Sequence, residues 1–340
     1  MTKVLITGGA GFIGSHTFVE LVNAGYDPVI IDNFNNSERF ILDRLEQLTG
    51  KKPVCYEQDY QDAAALKDII EKEKIESVIH FAAYKQVAES VKEPLKYYEN
   101  NVAGFVTLLN VLKKVKRPIN LVFSSSCTVY GSPENLPVTE ETPVSPVVPY
   151  GRSKMICEMV LKDTIDSQNN ISGISLRYFN PIGAHPSGII GELPKGPPAN
   201  LVPFVTQAAA GLYEKIIVHG NDYPTDDGSC VRDYIHVVDL AKAHVKALEY
   251  LHSQPLKTYD FMNIGIGQGV SVLEIIKTFE SKNSVKLNYE IGPRRLGDVA
   301  DIYAVVEKAN RLLDWKSQKT IADALEDAWR WQQTLPTSQP

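Results

Sequence analysis

Six short apolar or nearly apolar runs, at 4–6, 29–31, 54–56, 78–81, 121–123 and 174–178, punctuate the first half of the chain. They lack the strict alternation of a strand with one wet face, so the pattern predicts parallel strands buried on both faces. The segments between them carry a helical period instead. Phe18, Leu21 and Val22 form one apolar stripe that stops at Gly25, and Leu42, Leu45 and Leu48 form another that stops at Gly50, where a glycine can close a helix. Strand, helix, strand at this spacing requires right-handed crossovers, and hence an α/β, doubly wound parallel sheet.

Past Phe179 the pattern breaks. Pro181, Pro186, Pro194, Pro197, Pro198 and Pro203, with glycines interspersed from Gly183 to Gly211, interrupt regular structure. The Ile, Leu and Val residues among them predict an ordered loop over a ligand rather than a linker. Further on, 234–237 reads as a strand and 239–251 as a helix with Leu240, His244, Ala247 and Leu251 on one stripe, and both are placed on the main sheet. The chain then divides into a sheet domain, 1–180 plus about 231–265, and a smaller mixed α/β substrate lobe, about 181–230 plus about 266–340. About two domains are expected for 340 residues.

A chain of this size hides roughly three quarters of its unfolded surface, so its core is expected to hold without disulfides or structural metal. Cys55, Cys127, Cys157 and Cys230 lie far apart, without the close pairs of zinc sites or redox dithiols, and read as reduced thiols. The seven histidines form no ligand-spaced set, so no metal is expected. With 35 Lys+Arg against 41 Asp+Glu, a net charge of −6 offers no broad positive field, which argues against nucleic acid as a partner. The start Met1-Thr2-Lys3-Val4-Leu5-Ile6 runs straight into a strand pattern without a signal peptide, and no apolar run approaches the ~18 residues that span a bilayer. No membrane partner and a cytoplasmic location are expected, and the sequons at Asn35 and Asn170 read as chance.

Thr7-Gly8-Gly9-Ala10-Gly11-Phe12-Ile13-Gly14 follows the first strand and opens the first helix. Such a turn brings bare backbone N–H groups to a pyrophosphate, the helix dipole favours the negative charge, and Gly14 lets helix and strand pack closely. Asp32 ends the second strand about twenty residues on, where a carboxylate accepts from ribose hydroxyls in the Rossmann arrangement. It would repel a 2′-phosphate, so NAD is expected rather than NADP. Asp59, at the end of the third strand, is a candidate for the adenine amino group.

Tyr150-Gly151-Arg152-Ser153-Lys154 sets a phenol and an ammonium at i and i+4, on one helix face. The spacing alone would arise by chance; the position is what counts, because this helix follows the strand 121–123 and its Ser124-Ser125-Ser126 extension at the ligand-binding carboxyl edge. A phenol ionises near pH 10, but a neighbouring ammonium and an oxidised nicotinamide both favour phenolate and are expected to bring it towards working pH. Tyr150 is then the acid/base, Ser126 hydrogen-bonds the reacting hydroxyl, and Lys154 also holds the nicotinamide ribose.

These residues match the extended short-chain dehydrogenase/reductase superfamily. Residues 7–16, His80-Phe81-Ala82-Ala83-Tyr84-Lys85, 124–131, 150–154, Leu176-Arg177-Tyr178-Phe179-Asn180-Pro181, Gly220-Asn221-Asp222-Tyr223-Pro224-Thr225, Val231-Arg232-Asp233-Tyr234-Ile235-His236 and Pro293-Arg294-Arg295-Leu296-Gly297-Asp298 resemble the UDP-glucose (UDP-galactose) 4-epimerases over nearly the whole chain. The resemblance implies that Phe12, Ile13, Asn33, Asn36, Ser37, Tyr60, Phe81, Ala82, Lys85, Asn100, Ser124 and Tyr178 join the glycines, Asp32, Tyr150 and Lys154 around NAD. It implies that Lys85, Asn180, Asn200, Leu201, His219 and Asp298 contact a UDP-hexose with Ser126 and Tyr150, and that Arg232 and Arg295 clamp its diphosphate.

The implied reaction is interconversion of UDP-galactose and UDP-glucose: Tyr150 takes the 4-hydroxyl proton as hydride leaves C4, the 4-keto sugar turns over, and hydride returns to its other face. A homodimer through helices near 88–113 and 151–168 is implied as well. His219 stands where many relatives carry an aromatic residue and Cys127 where many carry Ala. Ile302 occupies the position that limits sugar size, which predicts strong preference for sugars without an N-acetyl group. A 4,6-dehydratase of the same superfamily would need a carboxyl pair where this chain has Cys127-Thr128, and a non-catalytic NAD sensor would lack the Ser, Tyr or Lys.

Overall fold

The computed structural model describes residues 1–167, 170–295 and 298–336. Its centre is a parallel seven-stranded sheet. The six expected strands are β1 (Lys3–Thr7), β2 (Asp27–Asp32), β3 (Val54–Glu57), β4 (Ser77–His80), β5 (Ile119–Ser124) and β6 (Ile171–Tyr178). Five of them are walled by apolar side chains on both faces, from Val4, Ile6, Ile30, Ile79 and Val122 on one side to Leu5, Val29, Ile31, Val78 and Leu121 on the other. β3 departs from the expectation of two buried faces: it is the sheet's edge, bonded only to β2, and its Val54 is 38% exposed.

Two more strands correct the reading of the second half. β7 (Asn180–Ile182) pairs in parallel with a strand at Tyr234–His236 in a separate two-stranded sheet, so the segment at 234–237 does not join the main sheet. The reason lies next to it: the Asp233 carboxylate accepts from the backbone N–H of Ile266, Gly267 and Ala304, which fastens this segment to the lobe. The place beside β6 goes to Tyr259–Ile264, which the sequence pattern did not single out and which pairs in register from Tyr259↔Gly173 to Ile264↔Tyr178. In chain order the remaining strands are β8 (Ile216–His219), β9 (Val231–Arg232), β10 (Tyr234–His236), β11 (Tyr259–Ile264), β12 (Val270–Ser271), β13 (Tyr289–Gly292) and β14 (Asp301–Ile302). The main sheet runs β11-β6-β5-β4-β1-β2-β3. The helix Val237–Ser253 does cover it, burying Leu240, His244, Ala247 and Leu251.

The smaller lobe pairs β8 with β13 and sets β9 between β12 and β14. Its core joins Ile182, Val205, Ile216, Phe279 and Leu325. Helices Val272–Asn283 and Ile321–Gln332 begin with reciprocal caps, Ser271 with Glu274 and Thr320 with Asp323, which satisfy N–H groups that a helix start leaves free. The proline-rich segment is irregular from Gly183 to Asn200, apart from the Ala184–Gly191 bridge, and then forms a helix at Leu201–Ala209. Pro203 sits in that helix's first turn, where its missing N–H costs nothing. Asp239, buried in the first turn of the helix Val237–Ser253, accepts from Ser317 Oγ and from the N–H of Gln318 and Lys319, tying the C-terminal segment back to the sheet domain.

The first crossover fixes where a ligand can lie. Gly8 takes a positive φ of 71° at the end of β1, and the helix Phe12–Asn23 follows so closely that a Cβ on Gly14 would stand 2.3 Å from the Gly8 carbonyl oxygen and 2.8 Å from Gly9 Cα. Those neighbours are backbone and cannot turn aside. Gly14→Ala is therefore expected to lower stability by about 1–3 kcal/mol, measured by denaturant unfolding, whereas Gly25→Ala, with open space around the site, tests the positive φ alone and should cost less.

Candidate active site

A cleft of about 1250 Å³ opens over the carboxyl ends of the central strands and is closed on its far side by the lobe. Gly8, Gly11, Phe12, Ile13, Gly14, Asp32, Asn33, Asn36, Ser37, Tyr60, Phe81, Ala82, Lys85, Asn100 and Ser124 line one half of it. Asn180, Asn200, Leu201, His219, Arg232, Arg295, Asp298 and Ile302 line the other, with Ser126, Tyr150, Lys154 and Tyr178 between them. Asp59 lies one step behind the wall, where it accepts from the Asn33 side-chain amide at 3.0 Å. Leu296 and Gly297 of the motif 293–298 lie outside the described residues.

In the first half, the Asp32 carboxylate accepts from Ala10 N–H, Phe34 N–H and Ser37 Oγ, at 2.9, 2.9 and 2.8 Å. It thus ties the glycine turn to the loop after β2, a role that the sequence did not announce. Gly11 begins the helix Phe12–Asn23 without a side-chain cap. The first-turn N–H groups therefore keep their hydrogen-bonding capacity for a ligand at the positive end of the helix dipole. At Gly8 a Cβ would reach 3.0 Å from Ala82 N, so bare backbone is required on this floor. An uncapped turn for a pyrophosphate and a carboxylate one strand away fit a dinucleotide.

The middle of the cleft is built from the end of β5 and the helix Pro149–Ser167. Lys154 Nζ donates to the Ser124 carbonyl at 2.6 Å, and Ser124 Oγ shares a short hydrogen bond with the Tyr178 hydroxyl. Ser126 caps the 3₁₀ turn Cys127–Tyr130: its Oγ accepts from Thr128 N–H at 3.2 Å and Thr128 Oγ1 at 3.0 Å, which leaves its own O–H free to donate. Burial pushes the Tyr150 phenol up to about 12, and the hydrogen bond with Ser126 offsets only part of that. Lys154 Nζ stands 5.9 Å from the Tyr150 ring centroid. Desolvation raises the phenol in the protein alone; the expected pull towards working pH involves the oxidised nicotinamide as well as the ammonium. The same burial pushes Lys154 down to about 8, against Cys157 and Glu158, which favour its charge. It also pushes His80 down to about 3, with Lys154 adding to the effect, so the imidazole beneath the floor is neutral.

In the second half, Arg232 Nη1 donates to Val231 and Ala300 carbonyls, and its Nη2 lies 3.8 Å from Asp298 Oδ1. His219 Nδ1 is 3.2 Å from the Pro293 carbonyl. Ile302 is buried among Cys127, Val129 and Phe179. The irregular segment after Gly183 does lie along the cleft, from Gly191 to Asn200. Arg44 donates to Ile189 O and Lys195 to Phe34 O, which straps it to the sheet domain. Glu192 was not singled out by the sequence reading: it accepts from Lys85 Nζ at 2.9 Å and Asn200 Nδ2 at 2.7 Å, joining the two halves. Only its place in a Pro/Gly-rich loop signalled it, and a lone carboxylate there has no pattern to read.

A family model described as GDP-mannose 4,6 dehydratase matches residues 5–328. UDP-glucose 4-epimerases of Dictyostelium discoideum and Bacillus subtilis (strain 168) are each 49% identical to the chain, over 98% and 97% of it and 96% of their own length. Among solved structures, the UDP-glucose 4-epimerase of Stenotrophomonas maltophila, with bound NAD and formylated UDP-arabinopyranose, is 44% identical, with a TM-score of 0.95 and 98% of each chain covered. That of Bifidobacterium longum, in complex with NAD+ and UDP, is 46% identical, with a TM-score of 0.94 and 99% of each chain covered. With a Rossmann sheet, a glycine turn and a Ser–Tyr–Lys set in one cleft, and identity near one half over almost the full length, the chain belongs to the UDP-glucose 4-epimerase family of the extended short-chain dehydrogenases/reductases.

Proposed function

We propose that this protein interconverts UDP-galactose and UDP-glucose at C4 through a 4-keto sugar, with NAD retained and no net redox change. One observation carries the reading: the Ser126 hydroxyl, the Tyr150 phenol and the Lys154 ammonium lie in a single cleft between an uncapped glycine turn and the guanidiniums of Arg232 and Arg295. The turn and Asp32 would hold NAD, with Lys85, Asn100, Lys154 and Tyr178 towards its nicotinamide end. NAD supplies a hydride acceptor at C4 that gives the hydride back.

The protein's own groups handle the proton and the pose. Tyr150 Oη takes the proton of the 4-hydroxyl and returns it, and the free O–H of Ser126 donates to the same sugar oxygen. A phenol pushed up to about 12 by burial is a poor base until a positive charge stands beside it, so proton removal is confined to the loaded site. Arg232 and Arg295 bind the diphosphate, which does not react, and leave the hexose free to present either face. A 4,6-dehydratase reading, which the family model's description suggests, lacks its acid/base carboxyl pair: Cys127 and Thr128 stand there.

The division into an NAD part and a UDP-sugar part is supported by the two halves of the cleft, with the later NAD-side segment starting at the helix Val237–Ser253 rather than near 231, because Val231–Arg232 and Tyr234–His236 pair within the lobe. A homodimer is supported by apolar side chains left exposed on neighbouring helices: Val91 on Val87–Lys92, Leu95 on Pro94–Tyr97, Val106 on Gly104–Leu112 and Met159 on Pro149–Ser167, with Leu95 72% exposed. Four free cysteines agree with a reducing, cytoplasmic setting.

The pure protein, given UDP-galactose and no added nucleotide, should form UDP-glucose, and acid quenching should release about one NAD per chain; release of NADP would overturn the role of Asp32. Tyr150→Phe keeps the ring against Tyr97 and Val148 and should lower the rate roughly 10²–10⁴-fold with UDP affinity unchanged; a variant with most of its activity would rule out the phenol as acid/base. Ile302 is stiff at its branched Cβ, so Ile302→Ala should raise kcat/KM for UDP-N-acetylglucosamine about 10-fold while the UDP-galactose reaction stays within a few fold. An unchanged ratio would show that Ile302 does not limit the sugar. Leu95→Asp with Met159→Asp should convert a dimer to a monomer in light scattering, and a dimer that persists would place the interface elsewhere.

A further inference from the structure

We propose that Glu158 is a positioning residue for this reaction, fixing through Ser125 the place of the Ser126 hydroxyl that faces Tyr150. The proposal rests on the reading of Ser126, Tyr150 and Lys154 given above and adds a fourth member that touches none of the reacting atoms.

Tyr150, Lys154 and Glu158 recur at i, i+4 and i+8 of the helix Pro149–Ser167, so they share a face. All three are buried. Their tips are set against three consecutive residues, Ser124 at the end of β5 and Ser125 and Ser126 after it. Lys154 donates to the Ser124 carbonyl, Glu158 Oε1 accepts from Ser125 Oγ at 2.5 Å, and Tyr150 and Ser126 line the same cleft. Ser126 therefore stands beside a residue whose side chain is anchored to a carboxylate.

The anchor is held in turn. Arg177, on β6, donates from Nε to Glu158 Oε1 at 2.9 Å and from Nη2 to Oε2 at 2.6 Å. Its Nη1 donates to the Tyr130 hydroxyl at 3.1 Å, and that hydroxyl donates to Asn263 Oδ1 at 2.7 Å. Tyr130 ends the 3₁₀ turn that Ser126 caps. One buried ion pair thus grips the segment 125–130 at both ends, with Ser126 between the grips. A buried pair of this kind contributes little net stability relative to well-packed apolar residues, since desolving both ions offsets their attraction. Geometry is what it supplies: Arg177 holds both carboxylate oxygens, and one of them gives Ser125 Oγ a fixed acceptor beside Ser126.

Ser125→Ala removes the link and leaves the Glu158–Arg177 pair whole, so it isolates positioning from the cost of an unpaired buried charge. In the NAD-loaded protein it should lower kcat for UDP-galactose about 10-fold, the scale expected for a sub-ångström misplacement, with KM, NAD content and melting temperature little changed. Its crystal structure should show Ser126 Oγ displaced from Tyr150. Glu158→Gln should lower kcat in the same direction, whether or not it also costs stability. An undisplaced Ser126 in Ser125→Ala, or a kcat within twofold of the parent, overturns the proposal. If the parent protein fails to convert UDP-galactose, the proposed function falls, while the position of Ser126 in the variant still decides the role of Glu158.

Discussion

A buried ammonium set against a backbone carbonyl is the contact on which the site depends. Lys154 is 3% exposed, and its Nζ meets the Ser124 oxygen at the point where β5 ends. Removing a charge from water costs several kcal/mol unless partners receive it, so the helix Pro149–Ser167 can dock on the strand end in one register only. That register puts Tyr150 over Ser126 and Glu158 under Ser125. The same burial raises the phenol and lowers the ammonium.

The second constraint is backbone proximity. At the glycine turn, helix and strand approach so closely that no side chain fits at Gly14, and this closeness leaves helix N–H groups aimed into the cleft instead of being covered. Asp32 holds the turn from the adjacent strand. A second close approach closes the opposite wall: a Cβ at Gly191 would stand 2.4 Å from the Trp331 ring, whose Nε1 donates to the Glu192 carbonyl at 3.0 Å. The irregular strap is thereby fixed by the C-terminal helix, and its Glu192 can reach Lys85 and Asn200 at once. Prolines and glycines in this segment serve shape, because regular structure could not follow the curved rim.

The sequence by itself determined the layered α/β architecture, six of the seven sheet strands and most of the residues that line the cleft. Those features are local: an apolar run, a glycine turn or an i,i+4 pair is specified by neighbours in the chain. Tertiary structure decided what depends on distant pairing. The seventh strand at Tyr259–Ile264 is broken by Asp260 and Asn263, so it offers no apolar run to read, and takes its place because β6 offers an open edge; β10, after the buried Asp233, is drawn into the lobe instead. The roles of Glu158 and Glu192 were not legible, since a carboxylate becomes an anchor or a strap only when the fold brings its partners to it. The raised phenol of Tyr150 was likewise beyond the sequence: a neighbouring lysine can be read from spacing, but desolvation exists only once the chain has closed around both groups.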